Sequence, residues 1–244
     1  MKKVFSLLMV AFAMTAMVAC SDKDNDNGSD NWVDLGLPSG LLWAKCNLGA
    51  TAPEEYGDYF AWGETAVKSL YDWSTYRYCN GDSSQMTKYC NDAAYGVAGF
   101  TDQLTVLEPG DDAAAVRLGS GARTPTKAEW EELMANTTSE WTTQNGVYGR
   151  KLTARNGNSI FLPAAGGWWD ADYEGIGEHG GYWSATLCTD SAFCAWDFGI
   201  GDDDQDLYAA DRKYGLSLRA VRTKNGEKVK MLSCEDVKGE VVKM

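Results

Sequence analysis

Carboxylates, indoles and thiols are the groups through which this chain could do chemistry, and they are densest between residues 190 and 211. Asp190, Asp197, Asp202, Asp203, Asp204, Asp206, Tyr208 and Asp211 fall there. Clustered carboxylates can hold calcium. A calcium loop starting at Asp202, however, would put Leu207 where a turn glycine is needed and Lys213 where a bidentate glutamate is needed. The expectation is a solvated acidic turn with no metal and no other cofactor. Trp168 and Trp169 form a second cluster, in Gly166–Gly167–Trp168–Trp169–Asp170. Neighbouring residues of a strand point to opposite faces, so one indole can pack inward while the other, in a loop, serves as a stacking platform for sugar or protein; the alternative is that both wedge against the domain as loop packing.

Catalytic arrangements are sparse. His179 is the only histidine, set in a glycine-rich stretch that reads as a solvated loop. A Ser-His-Asp triad would have to use it, and no Gly-x-Ser-x-Gly elbow is present. The same stretch lacks the strand-then-helix setting of a phosphate loop, and its acids would repel phosphate. Seven cysteines occur: Cys20, Cys46, Cys79, Cys90, Cys188, Cys194 and Cys234. None of the last six has the Cys-x-x-Cys spacing of zinc or redox sites. In an exported protein the nearest pairs, Cys79 with Cys90 and Cys188 with Cys194, could close disulfides, and free buried thiols are the alternative. The reading is of a protein that is not an enzyme.

Cys20 stands apart from the others. Lys2 and Lys3 precede an apolar run from Val4 to Ala19, too short to span a bilayer and followed by an acidic, polar stretch. Residues 1–19 read as a signal peptide. Met17–Val18–Ala19–Cys20 resembles the bacterial lipobox, which implies lipidation at Cys20, with residues 20–31 as a tether from the membrane. The acids after Cys20 resemble the surface-export signal of Bacteroidetes lipoproteins. The expected location is the outer membrane, lipid-anchored and exposed at the cell surface.

The elements that position these groups follow from composition and periodicity. Removing residues 1–19, which carry two lysines and no acid, takes the formal charge from −13 to −15. Such a surface repels phosphate backbones, so nucleic acid is excluded as a partner. Residues 32–222 contain no linker-like break and are expected to form one domain, followed by a short basic tail over 223–244. Thr126 and Glu129 form a capping box for a helix that turns Trp130, Leu133 and Met134 to one side. A shorter helix is expected over 111–118, opened by Asp111 or Asp112 and stopped by Gly119. Trp183, Ala185 and Leu187 alternate; so do Trp196, Phe198 and Ile200, and Leu216, Leu218 and Ala220. Three such runs predict an antiparallel sheet with one buried face. That pattern places Trp183, Trp196 and Phe198 in the core, with Asp197, Gly199 and the aspartates outside on a solvent-facing ridge.

Segments 33–44 (VDLGLPSGLLWA), 57–64 (GDYFAWGE) and 123–130 (RTPTKAEW) resemble the opening half of the Fibrobacter major paralogous domain of Bacteroidetes surface lipoproteins. Segments 161–166 (FLPAAG), 181–184 (GYWS) and 215–222 (GLSLRAVR) resemble its closing half. The resemblance implies an α+β, C-type-lectin-like domain with two helices and a long-looped antiparallel sheet. Variable proteins of diversity-generating retroelements are similar, and their diversified residues match 186–214 here. Formylglycine-generating enzymes have a similar fold, but the motif around their cysteine pair does not surround Cys188 and Cys194. The implied function is display of a face for a protein or glycan ligand, with adhesion as its biological form. The candidate contacts are Asp190, Asp197, Asp202, Asp204, Asp206, Tyr208, Asp211, Trp168 and Trp169. The alternative is a structural or fimbrial accessory component with one fixed partner.

Overall fold

Both helices begin where side chains can satisfy their free backbone donors. Thr126 Oγ1 accepts from the Glu129 N–H at 3.3 Å and the Glu129 carboxylate accepts from the Thr126 N–H at 2.8 Å. This capping box opens α2 (Lys127–Asn136). Asp112 caps α1 (Ala113–Leu118), accepting from the N–H groups of Ala114 and Ala115, and Gly119 ends that helix at a φ of +58°. The computed structural model describes residues 31–224. Cys20, Cys234, the signal segment, residues 20–30 of the tether and the tail from residue 225 lie outside the described residues.

The strands are β1 (Trp32–Asp34), β2 (Leu42–Ala44), β3 (Thr137–Gln144), β4 (Val147–Ala154), β5 (Ser159–Pro163), β6 (Ala165–Trp169), β7 (Asp172–Ile176), β8 (His179–Leu187), β9 (Cys194–Gly201), β10 (Gln205–Asp211) and β11 (Val221–Arg222). They make three sheets, ordered β1-β2-β11, β3-β4-β5 and β10-β9-β8-β6-β7. The architecture is α+β and sheet-rich. The large sheet is mixed rather than purely antiparallel, because β6 meets β8 in parallel at Gly166 and Gly180.

The expected single buried face is wrong, and register explains why. Trp183 pairs with Asp197 and Tyr182 with Phe198. Directly paired residues share a face, so Trp183 and Phe198 point to opposite sides. Each side meets a core. Trp183, Ala185, Leu187 and Leu216 pack with Phe60, Trp62, Tyr71 and Tyr89. Tyr182, Phe198 and Ile200 pack with Trp43, Trp130, Leu133 and Leu162. The Trp130 ring lies 4.8 Å from those of both Trp43 and Phe198. Trp196 shares the phase of Phe198 but lies beyond that core, half-buried, with Lys127 Nζ 3.5 Å from its ring centroid.

The third predicted strand is also different. Leu216 and Leu218 do point into one core, but Ser217 and Arg219 between them are buried too. The segment is held by single bridges, Leu216 to Phe60 and Ser217 to Tyr182, before β11 pairs with β2.

Residues 45–112 contain isolated bridges and one 3-10 turn (Val97–Gly99), so helix or sheet ladders do not fix their path. Two fully buried arginines do much of that work. Arg212 donates to Tyr76 Oη (2.8 Å) and to the carbonyls of Lys88 (3.0 Å), Tyr89 (3.0 Å) and Ala192 (2.7 Å). Arg219 donates to Asn47 Oδ1 and to the carbonyls of Ala44, Lys45 and Phe161.

Trp183→Ala is expected to cost about 3–5 kcal/mol, and Trp196→Ala only about 1 kcal/mol, in urea unfolding. Equal losses would mean that Trp196 is a core residue after all. Arg212→Lys keeps the charge but loses the planar spread of donors, so about 3 kcal/mol of destabilisation is expected in the same measurement.

Candidate functional site

Glycines open the site. On the face of the large sheet that carries Trp183, the next positions on β8 and β9 are Gly181, Gly199 and Gly201, with His179 at the start of β8. A strip without side chains leaves a groove of about 350 Å³. Its walls are Trp169 from β6, His179 from β8, Tyr208 from β10 and Tyr214 from the following turn. Trp169 meets His179 edge-on at 5.8 Å and Tyr214 at 6.2 Å. Tyr208 lies across Gly199: a Cβ there would stand 2.7 Å from its ring. Its hydroxyl donates to Asp204 Oδ2 at 2.8 Å.

Asp197 lies in the floor. It was expected on a solvent-facing ridge, but it pairs with buried Trp183 on one side and Tyr208 on the other and is only 6 % exposed. Its Oδ1 has no hydrogen-bond partner among the described residues. Burial pushes its carboxyl up to about 7, opposed only by its own backbone N–H. Buried carboxylates elsewhere are all engaged: Glu64 with Lys68, Asp111 with Lys88, Asp112 at the α1 cap, Glu129 with Arg123, and Glu132 with Ser39. An unpaired buried carboxylate costs stability and normally finds a donor. Asp197 is also one of the residues that line the groove.

The other expected contacts do not form one ridge. Asp204 and Tyr208 line the groove together with Asp197 and Trp169. Asp202 and Asp206 are exposed near the β9–β10 turn without lining it, and Asp206 accepts from the Leu207 N–H. Asp190 is exposed in the loop after β8, and Asp211 pairs with Cys194 at the start of β9, so both sit at the far end of the hairpin. Asp211 is half-buried rather than exposed, which raises its carboxyl above the usual range. Trp168 faces the core, stacked on Tyr173 at 5.0 Å and Tyr71 at 6.1 Å. The two tryptophans therefore divide as strand geometry requires.

His179 and Tyr214 were missed. His179 is the first residue of β8, not part of a loop, and its ring covers Gly175, where any Cβ would collide with it. Glycine runs in phase on paired strands were the available signal, but pairing register is invisible in one sequence.

Cys46, Cys79, Cys90, Cys188 and Cys194 are free thiols. Cys79 and Cys90 donate to carbonyls, of Trp73 and Asp92 respectively. Cys188 and Cys194 face each other across the hairpin, the N–H of one donating to the carbonyl of the other. Among the described residues, no three His, Cys, Asp or Glu side chains gather as a metal site, and no helix is long and apolar enough to cross a membrane. A second cavity, about 460 Å³, lies between Trp32, Cys46 and Arg222 and is lined by no carboxylate or histidine. Comparison with protein-family models, curated proteins and solved structures gives no match.

The Asp197 carboxyl is raised in the folded state, so between about pH 4 and pH 7 the unfolded chain ionises there while the folded chain stays protonated; stability falls across that window and the loss is complete above it. The full penalty is about 4 kcal/mol. Asp197→Asn removes it but leaves an unpaired amide costing about 1–3 kcal/mol. Net stabilisation of about 1–3 kcal/mol at pH 8 is therefore expected, with little gain at pH 4, in paired urea titrations.

Proposed function

We propose that this chain is a non-catalytic surface lipoprotein of the bacterial outer membrane, anchored through Cys20, whose domain holds a protein or glycan ligand in the groove above Asp197. The observation that carries the reading is the floor carboxylate. Its burial opposes ionisation, and no described residue supplies a hydrogen-bond partner for Oδ1. Groups that cost stability without an internal role are expected at functional sites. Four rings around it provide the stacking area that a recognition surface uses.

The domain is proposed to have the C-type-lectin-like fold of the Fibrobacter major paralogous group. In support, β2 pairs with both β1 and β11, which joins the two ends of the described chain, and the long irregular segment 45–112 packs onto the large sheet. The 186–214 stretch supplies Asp197, Asp204, Tyr208 and Tyr214 to the groove, as a diversified binding segment of that kind would. Cys188 and Cys194 lie at the opposite end of β8 and β9 from the groove, which favours binding over an oxidase chemistry of the formylglycine type.

Cells expressing Cys20→Ala are expected to lose the protein from the membrane fraction, or to retain an unprocessed precursor. Wild-type fractionation would remove the anchor from this reading. For the groove, Trp169→Ala and Tyr208→Ala should abolish binding to whichever ligand a glycan and surface-protein array identifies, with circular dichroism unchanged. If both variants bind as wild type does, the groove is not the ligand site and a fixed structural partner docking elsewhere becomes the better account.

A further inference from the structure

Asp197 and Asp204 are the carboxylates of the groove, and among the described residues no lysine or arginine lines it. Two basic groups that contact its lining residues are engaged elsewhere. Arg150 donates to the carbonyls of Gly201, Asp202 and Asp204, and Lys213 to Asp170 Oδ1 at 2.6 Å while lying over the Tyr214 ring. Asp202, Asp203 and Asp206 are exposed at the β9–β10 turn, next in sequence to the lining residues Gly201 and Asp204. This field repels anions and concentrates cations at the mouth.

A cation also fits the local chemistry better than a neutral donor. A buried carboxylate without a counter-charge regains little from one hydroxyl, whereas an ammonium neutralises it and brings three donors with no acceptor to satisfy. Indole and phenol faces attract the same group. Ala209, Ala210 and Leu216, also in the lining, offer an apolar surface to an alkyl stem. The Leu216 methyls and Asp197 Oδ2 both lie over Gly181, within 3.2 Å of where a Cβ would stand, and Oδ1 is shielded from solvent, so Oδ2 is the oxygen left to a ligand. A compact ammonium can address one oxygen. A planar guanidinium, which prefers to straddle both, cannot use this geometry fully.

We propose that the groove receives a lysine side chain presented by a partner protein, with Asp197 as the counter-charge, Asp204 as a second acceptor, and Trp169, Tyr208 and Tyr214 as the surrounding rings. The proposal rests on the groove being the ligand site and names what that ligand is.

The test uses the full chain, solubilised with its anchor, and follows the Trp169 indole N–H signal, assigned with Trp169→Phe. The probe is Nα-acetyl-lysine N-methylamide, compared with its Nε-acetylated form, the arginine analogue and methyl glucoside. The lysine probe is expected to give a saturable shift with a millimolar dissociation constant, weakened several-fold between about 0.05 and 0.5 M salt. Nε-acetylation should weaken binding by about tenfold or more, because it removes the charge. Asp197→Asn should abolish the shift while unfolding at no lower temperature than wild type, which separates lost recognition from lost structure. Equal binding of the acetylated probe, or tighter binding of the arginine analogue, would overturn the lysine assignment. If methyl glucoside shifts the signal in an Asp197-dependent way and the lysine probe does not, the ammonium proposal fails and the groove remains a ligand site for sugar. If no probe moves the signal and Trp169→Ala leaves array binding intact, both readings fail.

Discussion

Two guanidinium groups in the interior, each surrounded mainly by carbonyl oxygens instead of carboxylates, set the terms for the rest of this structure. Arg212 joins residues 76, 88, 89 and 192, and Arg219 joins residues 44, 45, 47 and 161. Those acceptors come from segments far apart in the chain, several of them in irregular backbone whose carbonyls have no ladder to bond. A buried carbonyl without a donor is costly. A planar cation with five donors is the one side chain that can satisfy several at once. The same two residues therefore hold loops to sheet and offset the desolvation of their own charge through many hydrogen bonds.

That arrangement lets the large sheet be covered on both sides. The irregular segment 45–112 contributes Phe60, Trp62, Tyr71 and Tyr89 against Trp183, while α2 and the β1-β2-β11 sheet contribute Trp130 and Trp43 against Phe198. With both faces occupied, open surface on the sheet is left where side chains are missing. The Gly181, Gly199 and Gly201 strip is such a place, and the groove lies there. Its floor carboxylate is tolerated because the surrounding cores hold β8 and β9 firmly enough to bear an unfavourable group. Site and scaffold are thus linked: the packing that stabilises the domain also leaves Asp197 Oδ1 without a donor among the described residues.

Local rules were legible in the sequence wherever a neighbour within four residues decides the outcome. The capping box at Thr126 and Glu129, the Asp112 cap and the Gly119 stop appear as read, because each needs only its own helix turn. Strand alternation offered a division of Trp168 and Trp169, and the placing of both on β6 decided that Trp168 faces the core and Trp169 the groove. The two helices and the strands β8 and β9 were likewise readable from caps and alternation, whereas β3 to β7 were not read.

What the tertiary structure decided was which face of each alternating run is which. Alternation marks two faces without saying what covers either, and pairing Trp183 with Asp197 rather than with Trp196 reverses the phase of a whole strand. One register choice turned an expected surface aspartate into a buried one and moved Trp196 out of the core. Asp190 and Asp211 lie toward the Cys194 end of the β9–β10 hairpin, and Asp204 lies at its turn. Arg212 and Arg219 show the same limit, since a sequence reads arginine as surface by default, and only long-range folding collects the carbonyls that make burial possible. The chain by itself determined its caps, its turns and its alternation, because these are short-range; the fold alone determined the groove, because register and the partners of buried charge are set by contacts between residues far apart in sequence.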